Sequence, residues 1–286
     1  MPRIILKMLF IASTTLFFFG SPLFAQKHGG LMVFPKRVVF EAGKRNDVVN
    51  LVSSSDDTES YAISFTHVEM QRTGEFKEPD SGATNIKYAD SIVRFFPRLV
   101  TLPPHGSQTI RLQYLKPKDL PPGEYRSHLF MRGIERAKPI EAQRSDTDKL
   151  VSVTITAIYG ISIPVIVRNQ TEPAKITLSN LHIMPPDSSN RRAISVEINR
   201  SGPESVYGEL VATYKDRSGK ETVLALAKGL AVYTPLPSRL CSLDFKVPPG
   251  VDISSGSVRM EFLSMSLDDK EHKETVLATT EISLPN

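Results

Sequence analysis

The sequence predicts an all-β protein built from two β-sandwich domains. Short segments in which apolar and polar residues alternate follow one another along the 286 residues, separated by Gly, Pro, Asp and Ser. This pattern is typical of strands with one buried face, joined by turns. No segment before Arg168 shows sustained helical periodicity. The length, once a short leader is removed, suits two domains that each bury their own core.

The amino terminus predicts a signal peptide over residues 1–25. Arg3 and Lys7 precede an apolar run from Met8 to Phe19, and a Gly-Ser-Pro break then leads to Ala25. The run is too short for a membrane span and has the layout of a secretory leader. We therefore expect a secreted or periplasmic protein that is not inserted in the membrane.

Charge and cysteine content narrow the class of protein further. The formal charge is +4, and the mature chain keeps +2 because the leader carries two of the basic residues. The basic residues are dispersed, which gives no reason to expect nucleic acid as a partner. Cys241 is the single cysteine, so no internal disulfide forms. Its alternating neighbours favour a buried, inert thiol over a reactive one.

In the first domain, alternation predicts strands that run from near the mature amino terminus to residue 133. The segments are Leu31–Phe34, Arg37–Phe40, Asp47–Val52, Ser60–Met70, Ile92–Leu102, Ser107–Tyr114 and Glu124–Gly133. Pro35 interrupts the first pair, as expected for an edge strand that bulges or switches sheets. Arg72–Asp80 suits a hairpin around Gly74.

The longest predicted strand is Leu150–Arg168, which follows a polar loop. Apolar residues fall on every second position from Val151, with Ser152, Thr154 and Thr156 between the first of them. A strand of this length extends past an ordinary sheet partner and leaves part of its edge uncovered. Such an edge invites pairing with another chain. The alternative is a central strand whose face is covered by its own domain.

Asn169–Pro173 is the predicted hinge, which divides the chain into domains 26–168 and 169–286. The strands predicted beyond it are Ala174–Ile183, Arg191–Arg200, Val206–Tyr214, Thr222–Ala231, Arg239–Val247, Val258–Met265 and Glu274–Leu284. Regular short strands with turn signals between them predict a second β-sandwich.

No catalytic or metal-binding motif is present in the sequence. The six histidines are far apart, and there is no HExxH, GxSxG, GxGxxG or phosphate-cradling glycine loop. A metal site and an enzymatic activity are therefore both disfavoured, and we expect no cofactor.

Three stretches resemble a known family, the periplasmic pilus chaperones (PapD-like) of chaperone–usher systems. They are VFPKRVVFEAG over Val33–Gly43, FPRLVTLPPHGSQTIRL over Phe96–Leu112, and EYRSHLFMRGI over Glu124–Ile134. The segment Val151–Arg168 then occupies the position of the family's subunit-binding strand. Its IPVIVR ending is similar to the divergent, archaic branch of the family.

The resemblance implies two immunoglobulin-like sandwiches in an angled, L-shaped arrangement. It also implies a chaperone that lends a strand to an incomplete pilus subunit, which is donor-strand complementation, and delivers the subunit to an outer-membrane usher. The positions that match the donor side chains are Val151, Val153, Ile155 and Ala157. No cofactor is implied.

The resemblance also implies a cleft that holds the subunit's terminal carboxylate. Arg37 matches the family's anchoring arginine, and guanidinium suits this task because it meets a carboxylate bidentately. The family's second cation, a lysine, aligns with Ser162. The anchor is therefore expected to be weaker, rearranged, or helped by another base such as Arg168 or Arg132. Without the resemblance, Arg37 is better interpreted as a surface charge on an edge strand.

Two other hypotheses stay open at this point. A secreted, two-domain adhesive or structural sandwich protein fits the same strand pattern but requires a ligand pocket or an assembly strand. Self-association through the donor strand is also expected of a long apolar edge.

Overall fold

The computed structural model describes residues 30–80, 86–134, 158–189, 191–265 and 275–284. Within these ranges it contains eighteen strands and no helix, which confirms the all-β prediction. No helix in the described parts of the chain is long and apolar enough to cross a membrane.

The first eleven strands form one β-sandwich and a small hairpin. They are β1 Leu31–Phe34, β2 Val38–Phe40, β3 Asn46–Ser53, β4 Glu59–Thr66, β5 Glu69–Met70, β6 Phe76–Lys77, β7 Val93–Phe96, β8 Leu99–Leu102, β9 Ser107–Tyr114, β10 Gly123–Ile134 and β11 Gly160–Asn169. One sheet has the order β1-β3-β9-β7 and the other β2-β11-β10-β4-β8, while β5 and β6 pair only with each other.

The last seven strands form the second sandwich. They are β12 Lys175–Ile183, β13 Arg192–Ser201, β14 Val206–Lys215, β15 Glu221–Val232, β16 Ser238–Phe245, β17 Gly256–Ser264 and β18 Val276–Leu284. Its sheets have the orders β12-β13-β16 and β15-β14-β17-β18.

Each sandwich has its own apolar core, formed by the inward-facing residues of alternating strands. Leu51 and Leu129 are fully buried in the first core, and Leu210 and Phe262 are fully buried in the second. Cys241 is buried in the second core, as predicted, and burial raises the pKa of its thiol. The two-sandwich prediction is thus confirmed, while the boundary at residue 169 and the L-shaped angle stay predictions.

Ser60–Met70 and Ile92–Leu102, each predicted as one strand, are divided in the structure because the chain changes sheet; Ser60–Met70 forms β4 and β5. Ile92–Leu102 forms β7 in one sheet and β8 in the other, with Pro97 between them. The segment around Pro35 behaves alike, since β1 pairs with β3 and β2 with β11. Proline lacks the N–H that would continue a ladder, so both breaks occur where pairing must stop.

The described part of the long predicted strand is β11. It pairs along its whole length with β10, and β2 lies on its other edge over Val165–Val167. The four expected donor residues, Val151, Val153, Ile155 and Ala157, lie outside the described residues, so their role stays a prediction.

Candidate functional site

The sheet that contains β2, β11 and β10 has two different faces. Val38, Val165 and Val167 point into the first core, whereas Val39 and Ile166 belong to a separate apolar cluster. That cluster also contains Ala231 and Tyr233 of the second sandwich, with Tyr207 packed against it. The outer face of this sheet is therefore the contact surface between the two sandwiches.

A cleft of about 440 Å³ opens beside this apolar contact. Its lining comes from both sandwiches and consists of Arg37, Val39, Glu41, Arg168, Pro173, Ala174, Glu204, Ser205, Val206, Tyr207, Ser264, Met265 and Leu277. The cleft thus combines two arginines with acidic and apolar side chains.

Arg37, the expected anchor, lies in this cleft and is only 5% exposed. Its guanidinium carbon is 4.1 Å from the centre of the Tyr207 ring. The Nε and Nη1 atoms are buried and have no hydrogen-bond partner among the described residues. Burial lowers the pKa of Arg37, while Tyr233 and Tyr207 oppose that shift. The interpretation of Arg37 as a surface charge is therefore wrong.

Arg168, the second arginine of the cleft, is fully engaged. Its Nη1 donates to Glu41 Oε2 at 2.8 Å, and its Nη2 donates to the Ser205 carbonyl at 2.9 Å. Its Nε is 3.3 Å from Glu204 Oε2 and 3.4 Å from Glu124 Oε2. Burial lowers the pKa of Arg168, but these carboxylates outweigh burial, so the net shift is upward.

Glu124 joins the two sandwiches through a fully buried carboxylate. Glu124 belongs to β10. Its carboxylate accepts hydrogen bonds from the backbone N–H of Ser205 at 2.8 Å, from the Ser205 hydroxyl, and from Thr234 Oγ1 at 3.2 Å. Because Arg168 is its cationic partner, the buried charge is compensated and hydrogen-bonded, as such charges require.

Ser162, the residue aligned with the family lysine, is exposed and pairs with Phe130. It supplies no cation. In the parallel register Val165 lies beside Val38, so Ser162 is two positions short of the residue beside Arg37. Of the two arginines expected to help, Arg168 lines the cleft with Arg37, whereas Arg132 is exposed farther along β10.

Before Val165, one edge of β11 pairs with no strand in the described parts of the chain. Among the described residues, the only strand on that edge is β2, which stops at the Val165 pairing. On the other edge, the Gly133 N–H donates to the Tyr159 carbonyl at 2.9 Å. Antiparallel hydrogen bonds alternate in direction, so the N–H and C=O groups of Ser162 point away from β10. They are available to an added strand.

A second cationic group lies on the other side of the contact surface. Arg126 is 3% exposed, and its guanidinium carbon is 4.3 Å from the centre of the Tyr233 ring. Its Nη2 is 3.3 Å from the Thr234 carbonyl. His128, the next residue of β10 on this face, lies edge-on to Phe76 with ring centres 5.5 Å apart.

Sequence reasoning missed Tyr207, Glu124, Arg126 and Tyr233. One signal was available, because Glu124, Arg126 and His128 fall on alternate positions of a strand with few other charges. Such spacing puts polar groups on one face. Ser205, which bonds Glu124, and Tyr233, which contacts Arg126, could not be found in this way because both belong to the other sandwich.

The described residues contain no cluster of three or more His, Cys, Asp or Glu side chains placed to hold a metal ion.

Comparison with known proteins gives matches only among solved structures. No protein-family model and no curated protein matches the sequence. The chain is similar to the YadV chaperone at 12% identity and a TM-score of 0.44, covering 89% of this chain and 99% of that one. It is similar to the Pseudomonas aeruginosa CupB2 chaperone at 16% identity and a TM-score of 0.42, covering 89% and 100%. The E. coli chaperone DraB gives 14% identity and a TM-score of 0.42, covering 90% and 97%.

Proposed function

We propose that this protein is a periplasmic chaperone that captures incomplete pilus subunits by donor-strand complementation and delivers them to an outer-membrane usher. It acts by binding, without catalysis and without a cofactor. The observation that carries the proposal is the buried guanidinium of Arg37, whose Nε and Nη1 have no hydrogen-bond partner among the described residues and which lies in a cleft between two sandwiches.

A buried charged donor without a partner is costly, so its presence calls for an anion. The carboxylates near Arg37 do not meet this need, because Glu41 bonds Arg168 and Glu124 bonds Ser205 and Thr234. The carboxyl terminus of a bound polypeptide supplies one negative charge with two acceptor oxygens, which suits a guanidinium.

The free edge of β11 supports the same proposal. A subunit strand that pairs with the outward N–H and C=O of Ser162 would lie beside the cleft that contains Arg37, whether it is parallel or antiparallel to β11. The alternation in the sequence predicts that Val151, Val153, Ile155 and Ala157 lie on one side of a strand that leads into β11. Burying three or four such side chains in a subunit's open groove contributes on the order of 1.5–3 kcal/mol each, before the cost of ordering.

The donor strand is tested by charge insertion on its two sides. Val153→Asp or Ile155→Asp should leave the protein folded but abolish capture, because an unpaired carboxylate in an apolar groove costs several kcal/mol. Ser152→Asp and Thr154→Asp introduce the same charge on the opposite side and should retain capture. The readout is co-purification with subunit from periplasm, together with a thermal melt of each variant.

Three outcomes contradict the proposal. Unfolding of the Val153 and Ile155 variants would mean that this side is internal core. Equal loss of capture in all four variants would exclude a one-sided donor strand. Recovery of a glycan receptor in place of a pilin-like partner would support the adhesive protein considered above.

A further inference from the structure

Tyr207 is the side chain whose ring the Arg37 guanidinium lies over. Arg37 immediately precedes β2 of the first sandwich, whereas Tyr207 belongs to β14 of the second. The guanidinium carbon lies 4.1 Å from the ring centre, and the Arg37 Nε and Nη1 atoms have no hydrogen-bond partner in the described chain. Stacking is therefore the main contact that orients this side chain.

We propose that Tyr207 is a positioning residue for the carboxylate anchor: its ring holds Arg37 in the cleft while leaving the N–H groups of the guanidinium uncommitted. This inference rests on the proposed function, since it assigns the second sandwich a part in carboxylate recognition.

The two arginines of the cleft show why the type of contact matters. The N–H groups of Arg168 are taken by Glu41, Glu204 and the Ser205 carbonyl. A carboxylate that approached Arg168 would have to displace these acceptors. An aromatic face attracts a cation through its quadrupole and accepts none of the in-plane N–H groups, so Arg37 keeps its donors for an incoming anion. Desolvation strengthens this attraction, and both partners lie at the contact between the sandwiches.

The surroundings of Tyr207 fix the position of the ring. Tyr207 pairs with Ala231 of β15 and packs against the apolar cluster between the sandwiches. Gly229, at a φ of +73°, leaves room for the phenol, because a Cβ at that position would lie 3.3 Å from the Tyr207 hydroxyl. The second sandwich thus fixes the position of the Tyr207 ring. A change in the relative orientation of the two sandwiches would therefore move Arg37.

Two variants distinguish the role of the ring from that of the hydroxyl. Tyr207→Phe removes the hydroxyl and keeps the ring, whereas Tyr207→Leu removes both. The probe is a synthetic peptide of the final strand of the pilus subunit that co-purifies with the protein, made with a free carboxylate and with a terminal amide. The measured quantity is the ratio of the two dissociation constants for the mature, full-length protein. We expect Tyr207→Phe to keep the wild-type ratio within about twofold and Tyr207→Leu to reduce it about tenfold.

A merely structural role would weaken both peptides equally and leave the ratio unchanged, and this result would overturn the inference. A ratio close to one in Tyr207→Phe would also overturn the inference, because the hydroxyl and not the ring would then be the group that positions Arg37. If Tyr207→Leu fails to fold, Tyr207→Met keeps an unbranched apolar side chain of similar reach and gives the same test. A ratio of one in the wild type would mean that the terminal carboxylate is not anchored. That result would contradict the proposed function, and it differs from the two results above because it appears in the wild type.

Discussion

Charged and polar side chains occupy much of the contact between the two sandwiches. Arg37 and Arg126 each stack on a tyrosine of the second sandwich, at 4.1 and 4.3 Å from the ring centres. Glu124 is compensated by Arg168 and hydrogen-bonded by Ser205. At the scale of single residues, Arg37 Nε and Nη1 and Arg126 Nη1 are buried and have no hydrogen-bond partner among the described residues. Of these two arginines, Arg37 lines the cleft, where a ligand could reach its N–H groups.

His128 makes the stability of this contact dependent on pH. The side chain is buried, and burial, Arg126 and His67 lower its pKa from 6.5 to about 3. The native state therefore holds a neutral imidazole, while the unfolded chain takes up a proton below pH 6.5. The stability that the neutral imidazole contributes is fully present above pH 6.5. The free energy of unfolding then falls by about 1.4 kcal/mol per pH unit as the pH decreases from 6.5 toward 3.

His128→Leu tests this dependence. Between pH 6 and 4.5 we expect the free energy of unfolding to fall by about 2 kcal/mol more in the wild type than in His128→Leu, measured by urea denaturation. His182→Leu, at an exposed position of β12, is the control and should follow the wild type. Parallel pH profiles for the wild type and His128→Leu would show that His128 is not the titrating group.

At the scale of secondary structure, β11 is the strand on which the proposed function depends. It is covered by β10 on one edge and only partly by β2 on the other. Pro164 lies on the part that β2 does not cover, which is the environment where a strand tolerates proline. The family resemblance places Ser162 where the family has a lysine, and we expect Ser162 to contribute there through its backbone.

Ser162→Pro removes the outward N–H of β11 without touching the hydrogen bonds to β10. We expect subunit affinity to fall about tenfold, as for one lost hydrogen bond, with the fold retained. Ser162→Ala keeps the N–H and should bind like the wild type. Isothermal titration against the purified subunit measures both. Equal affinities for the proline and alanine variants would mean that no strand pairs at this edge.

The strands themselves could be predicted from sequence because alternation reports directly on one buried face. Val206–Tyr214 was predicted, and β14 is Val206–Lys215. The changes of sheet at Pro35 and Pro97 could be anticipated only in part, since proline shows where a ladder stops but not where the chain continues. The contact of Arg37 with Tyr207 could not be predicted, because it depends on how two sandwiches meet.

At the scale of the whole molecule, contacts distributed over several elements join the sandwiches. Beyond the cleft, Arg72, which follows β5, bonds Glu197 at 2.8 Å, and its carbonyl accepts the Leu240 N–H at 2.8 Å. Glu124 and Arg168 form the buried ionic part of the contact. Because these contacts involve both sandwiches, we expect the two sandwiches to unfold together.

Glu124→Gln tests this coupling. It leaves Arg168 with less compensation in a buried site, so we expect a loss of about 3 kcal/mol in the free energy of unfolding. Glu221→Gln breaks a pair with Arg259 at the surface, 3.1 Å long, and should change stability little. Denaturation followed by fluorescence and by circular dichroism measures both. A separate early transition in Glu124→Gln would mean that the two sandwiches unfold independently.

The proposed function depends most on Arg37 as the anchor of the captured subunit's free carboxyl terminus. The most direct test is the affinity of wild type and Arg37→Met for the subunit, with its terminus free and amidated. A charged hydrogen bond worth roughly 1.5–3 kcal/mol predicts that amidation weakens the wild type by about ten- to a hundredfold and leaves Arg37→Met nearly unchanged. Equal weakening of both proteins by amidation, or no weakening of the wild type, would contradict the claim.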